Sequence, residues 1–169
     1  DIVHQIIYYL QGFDRSTRNM LHTTIQGPPG VGKTELAKIL AEIYLNLGVT
    51  KNSKLRIAKR SELIGEYLGH TAVKTQNVID ECNGGVLFID EAYSLGNSEK
   101  RDTFSKDCVD TLNLNLSENK SGFICIIAGY KNELDECFFS INPGLRRRFP
   151  FVYTIESYNP EELMHIFLK

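Results

Sequence analysis

Apolar residues recur three to four apart over residues 33–47, where Leu36, Leu40, Tyr44 and Leu47 form one stripe flanked by Ala37 and Ala41. That period predicts a helix, with Gly48 as its stop. The same pattern predicts helices over 71–82, with Val78 and Cys82 on one face, and over 104–116, with Phe104, Cys108, Leu112 and Leu116 aligned. Residues 2–10 fit a one-sided helix through Ile2, Ile6 and Tyr9, and the polar stretch 14–22 reads as a linker or short helix. Elsewhere the pattern shortens. Residues 55–59 alternate like a strand, and 23–26 and 151–155 are two further short strands. Residues 86–89 and 123–128 are apolar without alternation, as in strands covered on both faces. Asn159-Pro160-Glu161-Glu162 offers a cap, a proline at the first helical position and an acid three after the cap, so a helix opens there.

Strands alternating with helices predict an α/β fold, a three-layer sandwich around a parallel five-stranded sheet. The expected organisation is an N-terminal helical segment and linker over 1–22, the α/β core over 23–158, and the opening of a further helix over 159–169. A length of 169 residues suits one domain, and 42% apolar with 24% charged residues suits an ordinary core rather than a disordered chain. The net charge of −2 gives no broad electrostatic grip on nucleic acid, although a local patch stays open. Cys82, Cys108, Cys125 and Cys137 have no metal-knuckle or redox-pair spacing. Three of them fall on apolar faces, which fits a cytoplasmic or other reduced compartment. No apolar run is long enough to cross a membrane, and no signal peptide is present. The start at Asp1 rather than Met points to a piece of a longer chain.

Residues 27–34 read Gly-Pro-Pro-Gly-Val-Gly-Lys-Thr, the pattern G-x-x-x-x-G-K-T between a predicted strand and a predicted helix. Glycines let backbone N–H groups converge on phosphate oxygens, and the helix start adds its positive end. Gly27, Pro28, Pro29, Gly30, Val31, Gly32, Lys33 and Thr34 are therefore expected to hold a nucleotide. Lys33 would reach the β and γ phosphates, and Thr34 would ligate Mg²⁺. Glu35 follows at the helix start and is counted with the loop, although it and Lys38 also suit a solvated helix face.

Residues 86–91 read Val-Leu-Phe-Ile-Asp-Glu, which puts two carboxylates at the C-terminal tip of a buried strand, where α/β sheets bind ligands. Asp90 is expected to hold Mg²⁺, directly or through water, and Glu91 to polarise an attacking water. The second acid suggests hydrolysis rather than passive binding.

With these motifs the chain resembles an AAA+ ATPase, in the branch of red-type rubisco activase and stage V sporulation protein K. Besides 27–34, the resemblance is carried by 61–72, 84–95, Ile127-Ala-Gly-Tyr-Lys131 and Asn142-Pro-Gly-Leu-Arg-Arg-Arg-Phe149. It implies an ATPase using ATP and Mg²⁺ that works as a ring homo-oligomer, a hexamer, on a protein substrate. It implies that an arginine from one subunit completes its neighbour's site, with Arg148 the first choice, Arg146 the second, and Arg147 in the same run. At the end of the fourth strand it implies a sensor, either Lys131 contacting phosphate or Asn132 orienting water. Between the second strand and the next helix it implies a substrate-gripping pore loop carrying Tyr67 and Leu68. The helical lid of such proteins is expected to be absent from this sequence, and nucleotide binding correspondingly weak. Two other functions stay open: a nucleic-acid motor or loader with Lys59 and Arg60 facing a pore, and a nucleotide-gated scaffold that barely hydrolyses.

Overall fold

The structure is a computed structural model, and it describes residues 4, 7, 11, 21–67, 69–96, 103–118 and 122–168. Five strands make one sheet: β1 (Thr23–Gln26), β2 (Leu55–Ala58), β3 (Val86–Ile89), β4 (Ile124–Gly129) and β5 (Phe151–Thr154). Their order is β2-β3-β4-β1-β5, and every pairing is parallel. The helices are α1 (Lys33–Asn46), α2 (Arg60–Leu63), α3 (His70–Glu81), α4 (Thr103–Glu118), α5 (Lys131–Glu133), α6 (Gly144–Arg148) and α7 (Pro160–Phe167). A 3₁₀ turn, Ala92–Leu95, follows β3, and a π-helical turn, Leu134–Phe139, continues α5.

Alternate residues of the central strands feed two cores. Val86, Phe88, Ile124, Ile126 and Ala128 face α1, meeting Ala37, Leu40, Ala41 and Tyr44. Leu87, Ile89, Cys125 and Ile127 face the other way, onto Val78 and Ile79 of α3, Cys82 just after it, and Cys108, Leu112 and Leu116 of α4. The three-layer α/β sandwich follows, because strands this apolar lose hydration favourably only when both faces are covered. Each fully buried side chain of this size contributes about 1.5–3 kcal/mol. The edge strand β5 alternates between half-buried and exposed positions, as a strand covered on one face should.

The expected long helices and the strands form within one or two residues of their predicted limits. The second strand ends at Ala58 because Lys59 already caps α2, its N–H donating to Glu62 Oε2 at 2.9 Å. The capping box before α7 forms as expected: Glu162 N donates to Asn159 Oδ1 at 2.9 Å, and Asn159 N to Glu162 Oε2 at 2.8 Å. The short helices and turns after β2, β3 and β4, and α6, carry no readable period. They are held by packing instead, as where Phe138 and Phe139 meet Phe149 at ring-centroid distances of 6.3 and 6.1 Å.

Most of the N-terminal segment lies outside the described residues, including Ile2, Ile6 and Tyr9. Within it, His4 and Ile7 are helical, and Gln11 N donates to Ile7 O at 3.0 Å. Leu21 and His22, read from sequence as the end of a polar linker, are buried in the core. Cys82, Cys108 and Cys125 are buried free thiols, and Cys137 is half-buried. Among the described residues no helix is long and apolar enough to cross a membrane.

Candidate active site

The site gathers at the C-terminal ends of β1, β3 and β4. Gln26 pairs with Gly129, and Ile89 with Ile127, so the residues that follow these strands leave the sheet along one edge. Between β1 and α1 the chain turns through residues 27–34. Gly30 and Gly32 have φ of 75° and 85°, backbone states that L side chains adopt at a cost. Gly27 N donates to Gly129 O at 3.2 Å, and a β-carbon on Gly27 would lie 2.6 Å from Ile155 O, so only glycine fits there. Gly32 caps α1 without any side-chain hydrogen bond. The first N–H groups of that helix therefore lack a side-chain cap, and its positive end is available to an anion. The Lys33 ammonium donates to Gly27 O at 2.9 Å and to Pro28 O at 2.6 Å, and lies 5.5 Å from the centroid of the Tyr130 ring.

A cleft of about 350 Å³ runs beside this loop, lined by Gly30, Lys33, Thr34, Asp90, Glu91 and Tyr130 among others. Lys33 and Thr34 thus share one cavity with the acid pair, across β4. Asp90 Oδ1 accepts from Glu91 N at 3.0 Å. Glu91 has φ of 49°, a left-handed state that costs a non-glycine residue about 1–2 kcal/mol. Strain of this kind is tolerated where it aims a side chain. Pro29 lines the cleft as well, and Val31 is buried beneath the loop.

Two tyrosines in the cleft were not singled out from the sequence. Tyr93 and Tyr130 meet with ring centroids 5.8 Å apart and planes tilted by 37°, and a β-carbon on Gly129 would lie 2.9 Å from Tyr93 Cδ1. Burial, with the Glu91 charge beside it, pushes the Tyr93 phenol up to about 12, so it stays protonated at neutral pH. The usable signal for Tyr130 was its place: it directly follows a fully buried strand, where side chains emerge at the binding edge.

Other expected site residues lie elsewhere. Glu35 is exposed and pairs with Lys38 at 2.7 Å. Lys131 and Asn132 open α5, are exposed, and are not among the side chains lining the cleft; Tyr130 is. Arg146 is exposed, pairs with Asp135 and sits 4.5 Å from the Phe139 ring centroid. Arg147 is exposed, and half-buried Arg148 donates from Nε to Ser117 Oγ at 2.8 Å. Tyr67 is 66% exposed and meets His70 edge-on at 5.6 Å, beside a groove of about 580 Å³ that also carries Val73. Leu68 lies outside the described residues. Lys59 is exposed, whereas Arg60 is turned inward, donating to Ser94 O and, at 3.4 Å, to Ser105 Oγ.

The donor set suits a nucleotide with a hard cation. A glycine loop and an uncapped helix start favour phosphate, while a hydroxyl and carboxylates are oxygen ligands of the kind Mg²⁺ takes. Among the described residues no cluster of three or more His, Cys, Asp and Glu could hold a metal ion.

A loop of this geometry, opening a helix and sharing its cleft with an acidic pair two strands away, defines a P-loop domain of the α/β class. The chain belongs to the AAA family, the ATPase family associated with various cellular activities, whose profile matches residues 23–157. It is 52% identical over 166 residues to the cfxQ-like protein R730 of Acanthamoeba polyphaga mimivirus, covering 98% of this chain and 41% of the relative. It is 42% identical over 149 residues to stage V sporulation protein K of Bacillus subtilis, covering 88% of this chain and 46% of that one. It is 41% identical over 147 residues to the ESX-1 secretion system protein EccA1 of Mycobacterium tuberculosis H37Rv, covering 86% and 26%. The chain thus spans less than half the length of these relatives.

Proposed function

We propose that this chain binds ATP with Mg²⁺ in the cleft and hydrolyses it, and that the whole protein uses hydrolysis to remodel or thread a protein substrate as a ring oligomer, a hexamer. The observation that carries the reading is one cavity lined by Lys33 and Thr34 from the loop and by Asp90 and Glu91 from β3.

In this reading the loop amides and the α1 N-terminus bind the phosphates, and Lys33 adds a positive charge that balances the β and γ oxygens. Thr34 and Asp90 hold Mg²⁺, which when bound neutralises charge on the phosphate oxygens. Glu91 accepts a hydrogen bond from a water and orients it towards the γ-phosphorus. Arg148 or Arg146 from a neighbouring subunit steadies the charge on the transferring group. Tyr130, at the tip of β4, occupies the place from which a side chain can sense the terminal phosphate. Tyr67, largely exposed beside an open groove, is suited to grip an extended polypeptide, with Leu68 beside it in sequence. An aromatic ring offers broad contact at low entropy cost. Protein remodelling is also in keeping with relatives named as a secretion system protein and a sporulation protein.

The test is ATP hydrolysis per subunit against protein concentration, with light scattering to follow assembly. Specific activity is expected to rise as subunits associate. A substantial rate that stays flat down to the monomer would overturn the shared site. Failure of a slowly hydrolysed ATP analogue to bind in calorimetry would overturn the nucleotide reading itself.

A further inference from the structure

The connection from β5 to α7 passes the phosphate loop and is fastened once to the end of β1 and once to the loop itself. Ile155 N donates to Gln26 O at 2.8 Å, immediately before the loop begins. Three residues later, Tyr158 Oη donates to Val31 O at 2.8 Å, joining positions 127 apart in sequence. Val31 is buried, so its carbonyl depends on a protein partner rather than on bulk water. The hydroxyl abuts the next residue as well: a β-carbon on Gly32 would lie 3.6 Å from Tyr158 Oη.

The orientation of this one peptide matters to the site. In a planar trans peptide the carbonyl of one residue and the N–H of the next point to opposite sides. With Val31 O held by Tyr158, the Gly32 N–H is turned away from the tyrosine. Gly32 lines the cleft between Gly30 and Lys33. Its φ of 85° and ψ of 25° belong to a region that glycine enters and leaves freely. Torsional preference alone therefore does not lock the peptide, and a tether from outside the loop does.

We propose that Tyr158 is a positioning residue for phosphate binding, its hydroxyl holding the Val31–Gly32 peptide so that the Gly32 N–H is presented to a phosphate oxygen in the cleft. The proposal rests on the cleft being a nucleotide site. It removes part of the ordering cost of binding, because the donor is set before the ligand arrives.

Tyr158→Phe keeps the ring and removes the donor. The experiment compares wild type, Tyr158→Phe and Lys33→Ala by calorimetric titration with a slowly hydrolysed ATP analogue and Mg²⁺. It also follows the Gly32 amide resonance of ¹⁵N-labelled protein before nucleotide is added. Tyr158→Phe is expected to move the Gly32 resonance and to weaken the analogue about fivefold, the scale of one lost hydrogen bond. Either an unmoved Gly32 resonance or an unchanged Kd overturns the proposal. Wild-type binding that Lys33→Ala weakens about 100-fold, with Tyr158→Phe unaltered, sinks the tyrosine's role and leaves the nucleotide site standing. No binding by the wild type sinks both.

Discussion

Arg148 Nε donates to Ser117 Oγ at 2.8 Å, which ties the first-choice arginine finger to the last turn of α4 in its own domain. Arg146 is held differently, by Asp135 and the face of Phe139. If Arg148 acts on a neighbouring subunit, Arg148→Ala lowers hydrolysis roughly 10³-fold, the scale of an arginine finger supplied in trans, without abolishing nucleotide binding. Mixing Arg148→Ala subunits with Glu91→Gln subunits restores part of the activity, because some interfaces then carry both intact groups. A mixture as inactive as its components rules the trans role out.

Lys33 has two carbonyl partners in its own loop and lies over the Tyr130 ring, so its ammonium stays at the mouth of the cleft. Lys33→Ala is expected to weaken an ATP analogue about 100-fold, since a hydrogen-bonded charge contributes roughly 1.5–3 kcal/mol. Calorimetric titration reads this directly. An affinity within threefold of wild type would remove Lys33 from the site.

Glu91 pays a backbone strain that glycine would not. Its φ of 49° predicts that Glu91→Gly is more stable than Glu91→Ala by ~1 kcal/mol in urea unfolding. Both variants are expected to lose hydrolysis, so stability and activity part company at this position. Equal stability of the two would mean that the strand end relaxes when the carboxylate is lost.

His22 is buried between Phe123 and Phe149, and its Nδ1 accepts from Cys125 N at 2.9 Å. Burial pushes its imidazole down from 6.5 to about 3, with the nearby Leu116 backbone opposing the shift and the Arg148 charge adding to it. The unfolded chain therefore binds the proton first as pH falls. This contribution to stability is complete above pH 6.5 and is lost between there and about pH 3. Wild type should lose about 2 kcal/mol more than His22→Gln between pH 7.5 and pH 5.0 in urea unfolding. Parallel pH profiles for the two proteins would contradict the buried neutral imidazole.

Tyr67 is largely exposed and packs edge-on against His70. Tyr67→Ala is expected to weaken capture of an unfolded polypeptide by the assembled protein about tenfold or more, the range of an aromatic anchor. Fluorescence anisotropy of a labelled polypeptide would read it. Unchanged capture would show that the ring serves its own domain.

Much of this protein is legible along the chain because the signals are local. The glycine loop, the acid pair after an unalternating apolar run, and the cap before α7 each need only neighbouring residues, and the sheet's class follows from strands too apolar to face water. The parallel five-stranded sheet and its two covered faces follow from those runs. What tertiary structure decided is which distant groups meet. Tyr158 reaches Val31 across 127 positions, Ser117 takes Arg148, and His22 takes the amide of Cys125. Tyr93 and Tyr130 come together only because β3 and β4 are adjacent and in register. No period or motif encodes such pairs, because each partner is an ordinary residue in its own segment. They acquire a role only when the strands align and bring their loops to one edge.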